Sequence, residues 1–321
     1  MTINNLIPEI HDLEQLNVEF GNYIRFEKLT DLSAQGLTLP MYALSIGTQD
    51  PKAPVFGLFG GVHGLEKVGS HVLISFLKTL LHRMTWDKEW INFFEHCRFV
   101  SIPVVNPIGM ALNRRSNGNG IDLMRNSPVE ASGKLIPLIS GHRLGNWLPW
   151  YRGIEGMELE TELKIVMEYC HKEFFQSQHV ITLDLHSGFG LKDRLWYPWA
   201  SNKQPFPHEP EVLNLKKIFE NSFPYHIYTI EHQSLNYSNH GDLWDWIYKN
   251  YSLANPNGKY LPLTLEMGSW MWVKKNFWQL SSFSGLFNPI KKHRFARTMR
   301  RHNFLLEFLL KVSRNHHAWS K

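Results

Sequence analysis

The 321-residue sequence predicts an α/β layered fold. Three observations carry that prediction. Short, continuous apolar runs alternate with longer stretches of helical periodicity, the rhythm of strands covered on both faces by helices. Hydrophobic residues make up 43% of the chain and charged residues 20%, an ordinary globular balance. The polar clusters rich in Gly, Asn and His fall directly after the apolar runs, where open α/β sheets collect their sites.

In chain order, the first predicted strand is 54–59 (PVFGLF), followed by a helix over 68–83. A second strand covers 98–103 (RFVSIP). The stretch 106–152 is rich in Gly, Asn and Pro and is expected to be a long irregular excursion, the kind of loop that carries function. A helix over 159–176 leads into a strand at 179–185 (HVITLDL), a helix at 209–222 and a strand at 261–266 (LPLTLE). The C-terminal segment reads as an amphipathic helix with Phe295, Met299, Phe304, Leu306 and Leu310 on its apolar side. From Lys291 to Lys321 there are nine Lys/Arg and one acid, Glu307. A solvated basic face is expected there, because no nucleic-acid-binding motif accompanies it. No repeat or low-complexity linker divides the chain, so residues 1–321 are expected to form one domain of a size that buries roughly 75% of its unfolded surface.

No apolar run approaches the roughly 20 residues that span a bilayer. The N-terminal stretch carries acids and no basic segment before an apolar core, so no secretory signal is expected and the cytoplasm is the expected compartment. Cys97 and Cys170 make no C-x-x-C pair and sit among bulky neighbours, as buried, inert thiols do. Net charge is +5 with histidines neutral. Nothing in the sequence sets an oligomeric state.

Two clusters have metal-ligand chemistry. His63 and Glu66, in GGVHGLEKVG, follow the first strand, and at i and i+3 their side chains project to one side. His186, in TLDLHSGFG, ends the third strand. Two His and one Glu are a set that holds catalytic zinc with one position open. H-E-x-x-H is absent. Glu266 ends the apolar strand LPLTLE, where a carboxylate must be paired or functional. Arg114, Arg115 and Arg125 are candidates for binding an anion, since a guanidinium holds a carboxylate with two parallel hydrogen bonds.

The order H-x-x-E followed by a distant strand-end His resembles the zinc metallocarboxypeptidases. IPVVNPIGM resembles the family's strand and Asn-Pro-Asp-Gly turn, with Ile108 in place of Asp; NRRSNGNGIDLMRN resembles its arginine segment followed by Gly-x-Asp-x-Asn-Arg-Asn; LTLEMG resembles the strand carrying its catalytic glutamate. The resemblance implies a three-layer α/β/α fold around a central mixed, twisted sheet, and one Zn²⁺ per chain held by His63, Glu66 and His186. It implies hydrolysis of the amide next to a free C-terminal carboxylate, with Glu266 taking a proton from the zinc-activated water and passing it to the leaving amine. It makes Asp122 the carboxylate partner of His63, and Arg114 or Arg115 the arginine facing the oxyanion. It makes Arg125 the arginine for the substrate carboxylate. Met124 stands where the family has Asn, so a donor is missing, and Asn126 is the candidate substitute. Tyr237 resembles a mobile substrate-capping tyrosine, and the pocket for the leaving residue is expected around Leu243, Trp244 and Asp245. The expected substrate is a peptide. The wider superfamily also holds the aspartoacylase and succinylglutamate desuccinylase branch, which makes an N-acyl amino acid the alternative substrate.

Overall fold

The structure, a computed structural model, describes residues 6–281 and 283–321. The first five residues of the N-terminal stretch lie outside the described residues. An eight-stranded mixed sheet runs through the molecule in the order β1-β2-β4-β3-β5-β8-β6-β7. Its strands are β1 (Arg25–Ala34), β2 (Leu37–Gly47), β3 (Val55–Gly60), β4 (Arg98–Ile102), β5 (His179–Ser187), β6 (Arg194–Tyr197), β7 (Thr229–His232) and β8 (Lys259–Met267). The central neighbours β4, β3, β5 and β8 are parallel, and antiparallel pairs flank them at β1/β2, β2/β4 and β6/β8.

All four strands predicted from continuous apolar runs are present, and β3 and β4 are buried at every position. Helices cover both faces. On one lie α1 (Pro8–Phe20), α2 (Lys67–Met84), α6 (Glu209–Ser222) and α9 (Lys292–Arg314); on the other lie α5 (Thr161–Phe174) and α7 (Leu243–Ala254). Short helices α3 (Lys88–Phe94), α4 (Pro107–Ala111) and α8 (Trp270–Lys275) complete the set among the described residues. The helix at 67–84 buries Val68, Val72, Leu73, Phe76, Leu77, Leu80 and Leu81, one stripe at three- and four-residue spacing.

Besides the helices α1, α3, α4 and α8, five elements escaped the sequence reading, each for a physical reason. The β1/β2 hairpin sits at the sheet edge, so β1 is mostly exposed and has no apolar run. Its turn is Gln35-Gly36, both at positive φ, rather than Asn-Gly or Asp-Gly. Strands β6 and β7 are four residues each. Helix α7, expected as pocket lining, is aromatic throughout its first turns and is started by Asp242, which accepts from the backbone N–H groups of Trp244 and Asp245, each at 3.0 Å. The stretch 106–152 is irregular apart from α4 and one turn of 3₁₀ helix at Leu123–Arg125. Cys97 and Cys170 are both buried and free, and burial pushes both thiols up, Cys97 to about 11. Among the described residues no helix is long and apolar enough to cross a membrane.

Candidate metal centre and active site

Three parallel neighbours build the site. Strand β3 ends at Gly60 and the chain turns back through Gly61, at φ +66°, into the loop bearing His63. Gly64 lies against α4 so closely that a Cβ there would sit 2.1 Å from the backbone carbon of Gly109 and the nitrogen of Met110. This packing fixes the His63–Glu66 turn against the second loop. Asn106 fixes that loop in turn, accepting from Gly109 N at 2.8 Å and donating to Val62 O at 3.3 Å. Strands β5 and β8 place His186 and Glu266 as direct register partners.

Glu66 occupies the N-cap position of α2 yet makes no capping bond. Its carboxylate instead turns into the cluster, accepting from Ser187 N at 2.9 Å and from Arg115 Nη1 at 3.1 Å. Asn288 does the capping, accepting from Val68 N at 2.9 Å while donating to Leu65 O at 2.8 Å. A side chain diverted from its local structural task marks a place where local preference yields to another demand.

The donor atoms converge. His63 Nδ1 lies 3.0 Å from Glu66 Oε1 and 3.2 Å from His186 Nδ1, and His186 Nδ1 lies 3.1 Å from Glu66 Oε2. The three side chains form a buried group whose ligand atoms all lie within 4.8 Å of one another, and they can hold a metal ion. Zinc–nitrogen bonds of roughly 2.0–2.1 Å at a tetrahedral angle put two ligand nitrogens about 3.3 Å apart, close to the spacing found. The far nitrogens are taken: His63 Nε2 meets Asp122 Oδ1 at 3.1 Å, and His186 Nε2 meets Asp184 Oδ2 at 2.6 Å. With both Nε2–H groups donated to carboxylates, both Nδ1 lone pairs face one another. Only a cation between them, or an added proton, makes that arrangement favourable. In the protein alone, burial disfavours a charged His186, but Asp184 foremost and Glu66 outweigh it and hold the imidazole well above its usual range. A divalent cation would supply that positive charge and displace the proton. The donor set therefore fits zinc.

Asp122 is the hub of the second loop. It accepts from His63 Nε2, from Arg115 Nε at 2.8 Å and from Met124 N at 3.0 Å. Burial works against its charged form, but Arg115 and His63 outweigh burial and hold the carboxyl well below its usual range. Burial likewise raises Glu66, while His63 and His186 pull it far down. Glu266 is the exception: burial, reinforced by the charge of Glu66, pushes it up to about 8, though it accepts from Phe189 N at 3.0 Å. Glu266 thus places a carboxyl of high proton affinity beside the three candidate metal ligands.

The remaining candidates separate. Arg115 is drawn into the cluster by Glu66 and Asp122, whereas Arg114 is exposed and makes no side-chain contact with it. Arg125 is 3% exposed, its guanidinium donating to Met124 O at 3.0 Å and Ile139 O at 3.3 Å. Tyr237 is half-buried, stands 6.0 Å from the Phe189 ring, and feels the charges of Arg125, Glu266 and Arg115. Asn126 is not brought to the cluster. Its amide donates to Arg152 O at 3.0 Å and accepts from Glu160 N at 2.9 Å, holding the excursion to the start of α5. Leu243 and Asp245 serve the fold, Asp245 accepting from Ala200 N and Ser201 N. Trp244 does reach the site, donating to Asp184 Oδ2 at 2.7 Å.

Asp184 is the functional side chain that sequence reading missed. Its signal was present as Asp-x-His in a strand, where residues two apart share a face.

The zinc carboxypeptidase family profile matches residues 12–275. The chain belongs to the zinc carboxypeptidase family. Among curated relatives, human (Homo sapiens) carboxypeptidase D is 28% identical over 131 residues, which is 36% of this chain and 10% of that protein. Carboxypeptidase E of Caenorhabditis elegans is 27% identical over 139 residues, 39% of this chain and 27% of that protein. The chain thus spans well under a third of the relatives it matches. Among solved structures, bovine thrombin-activatable fibrinolysis inhibitor superposes with a TM-score of 0.68 at 16% identity, covering 98% of both chains. Carboxypeptidase A of Helicoverpa armigera gives 0.63 at 16% identity, covering 95% of this chain and 71% of that one. These likenesses establish the zinc carboxypeptidase fold, in agreement with the three-layer architecture expected. Within the family pattern, Ile108 and Met124 remain departures, and both are buried apolar side chains here.

Proposed function

We propose that the protein is a zinc-dependent metallocarboxypeptidase that hydrolyses the amide next to a free C-terminal carboxylate of a peptide. The observation that carries this reading is the convergence of His63 Nδ1, His186 Nδ1 and Glu66 on one point beside Glu266. Residues 1–321 act as one catalytic domain with one zinc. Bound through His63, Glu66 and His186, zinc supplies Lewis acidity and lowers the pKa of water. Asp122 and Asp184 hold the two imidazoles in the tautomer that presents Nδ1. Glu266 takes a proton from the attacking water and returns it to the leaving amine, a role suited to a buried carboxyl that is the register partner of His186. Arg115, held in place by Glu66 and Asp122, stabilises negative charge developing on the scissile carbonyl oxygen. Arg125 binds the terminal carboxylate, and Tyr237 closes over it.

One observation favours a second reading, hydrolysis of N-acyl amino acids. Met124 stands where the family has Asn and provides no donor for the C-terminal carboxylate of a peptide. Assaying the zinc-loaded protein on short peptides and on N-acyl amino acids in parallel separates the two. Release of C-terminal residues supports the first reading. Turnover of acyl amino acids alone refutes it in favour of the second.

A further inference from the structure

Helix α9 begins against the usual electrostatic preference. A helix N-terminus carries partial positive charge and favours acids in its first turn. Here the N-cap is Lys291, no side chain caps the end, and no acid lies in the first turn. Residues 292–301 contain Lys292, His293, Arg294, Arg297, Arg300 and Arg301 and no acid at all. Local rules are broken in this way where a site is built.

A groove of 640 Å³ opens at this point, between the start of α9, the end of α8 and the segment at 225–227. Lys275, Arg294, Arg297 and Arg301 line it, with the exposed Tyr225 at its rim and the largely buried Trp272 in its floor, and no acidic residue is among the lining side chains. The four cations are not equivalent. Arg294 is committed to the fold, donating to Trp272 O at 3.0 Å and Lys275 O at 3.1 Å. Arg301 is half-neutralised by Asp193 at 3.0 Å. Among the described residues, Lys275 and Arg297 have no acid within ion-pair distance. The groove thus holds two uncompensated cations and a shared third at the positive end of a long helix, beside aromatic faces. Its volume is that of a small-molecule site rather than a track for a polymer. Clustered cations on a concave surface bind multivalent anions, and an aromatic side chain at its rim stacks a flat body.

We propose that this groove binds a small oligoanion with a flat apolar body, of the aryl or nucleoside oligophosphate class. The ligand's charged groups meet Lys275, Arg297 and Arg301 and its ring lies against Trp272 or Tyr225. None of these side chains touches the metal cluster, so the proposal stands whether or not the centre cleaves peptides.

The probe is naphthalene-1,3,6-trisulfonate, whose sulfonates are poor zinc ligands, titrated calorimetrically into the zinc-loaded 321-residue chain. The wild type is expected to bind one equivalent, at least about ten-fold more tightly than naphthalene-1-sulfonate, since removing a single charge-assisted hydrogen bond weakens binding by about that factor. Lys275→Glu with Arg297→Glu should weaken the trisulfonate by a further ten-fold or more, while Arg300→Glu, outside the groove, changes it less than two-fold. Milder Lys275→Ala with Arg297→Ala gives the same ordering if charge reversal perturbs folding, which near-UV circular dichroism reports. Equal affinity for one and three sulfonates, equal losses in the groove and Arg300 variants, or no binding by the wild type at millimolar probe overturns the proposal. Tighter binding of a long oligonucleotide than of the trisulfonate, with the same dependence on Lys275 and Arg297, replaces it with a nucleic-acid surface.

Discussion

Replacing Asp184 by Asn isolates what its charge does for the metal centre. The carboxylate accepts from His186 Nε2 at 2.6 Å and from Trp244 Nε1 at 2.7 Å, both on Oδ2, and Oδ1 has no partner. An asparagine oxygen has two lone pairs and can accept both bonds in place. The new NH₂ takes the position of an atom that already lacked a partner. The substitution therefore keeps the geometry and removes the negative charge that makes His186 Nδ1 a stronger donor. Loss of such a partner typically weakens metal binding 10–100-fold, about 1.4–2.8 kcal/mol. Asp184→Ala removes the acceptor as well and leaves two buried N–H groups unsatisfied. At about 1–3 kcal/mol each, that adds roughly 2–6 kcal/mol of lost fold stability. Zinc affinity is measured by competition with a chelator of known strength, and stability by denaturant unfolding of the metal-free protein. The expected pattern is a loss of affinity without much loss of stability for Asn, and loss of both for Ala. Zinc affinity in Asp184→Asn within two-fold of wild type would show that the Asp184–His186 contact does not tune the ligand.

Glu266→Gln should retain zinc and lower kcat by about 10²–10⁴-fold on a validated substrate, checked by metal analysis and steady-state kinetics together; a near wild-type kcat removes the base assignment. Amidating the substrate's C-terminus should cost the wild type about 10- to 10⁴-fold in kcat/KM and cost Arg125→Ala much less, because the partner is already gone; equal penalties would move carboxylate recognition to another residue. Asp242 is pushed up to about 7 by burial and by neighbouring Asp245, so the folded protein holds this proton after the unfolded chain has released it near its ordinary value of about 4. Its contribution is fully present below about pH 4 and is lost as pH rises to about 7. Asp242→Asn, which keeps an N-capping side chain, should therefore gain stability relative to wild type across that window; a pH-independent difference in denaturation free energy contradicts the assignment.

The site was more legible than the frame around it. His63 and Glu66 sit three apart after a glycine pair, and His186 and Glu266 each end an apolar run, so residue type, spacing and position all point one way. The parallel strands β3, β5 and β8 read well because burial on both faces makes them continuously apolar. Strand β1 is mostly solvated and has an irregular register between Lys28 and Thr30, so no period-two pattern survives in it, and in β2 the alternation of buried Leu39, Met41 and Ala43 with Pro40 and Tyr42 forms no continuous apolar run. Asp184 was overlooked because it lies inside an apolar strand, where only the pleat reveals that it shares a face with His186. The choice between Arg114 and Arg115 needed three dimensions, since adjacent loop residues differ only in which one the Glu66 and Asp122 carboxylates capture. Asn126 went to the loop rather than to the cluster for the same reason: the backbone groups of Arg152 and Glu160 that claim it are remote in sequence.

The most direct test of the account is product analysis by mass spectrometry of one unblocked peptide incubated with three preparations: metal-free protein, the same protein reloaded with one equivalent of zinc, and zinc-loaded Glu266→Gln. The expected result is a product one C-terminal residue shorter from the reloaded wild type alone. The same product from the metal-free protein, or from Glu266→Gln at a comparable rate, would contradict it.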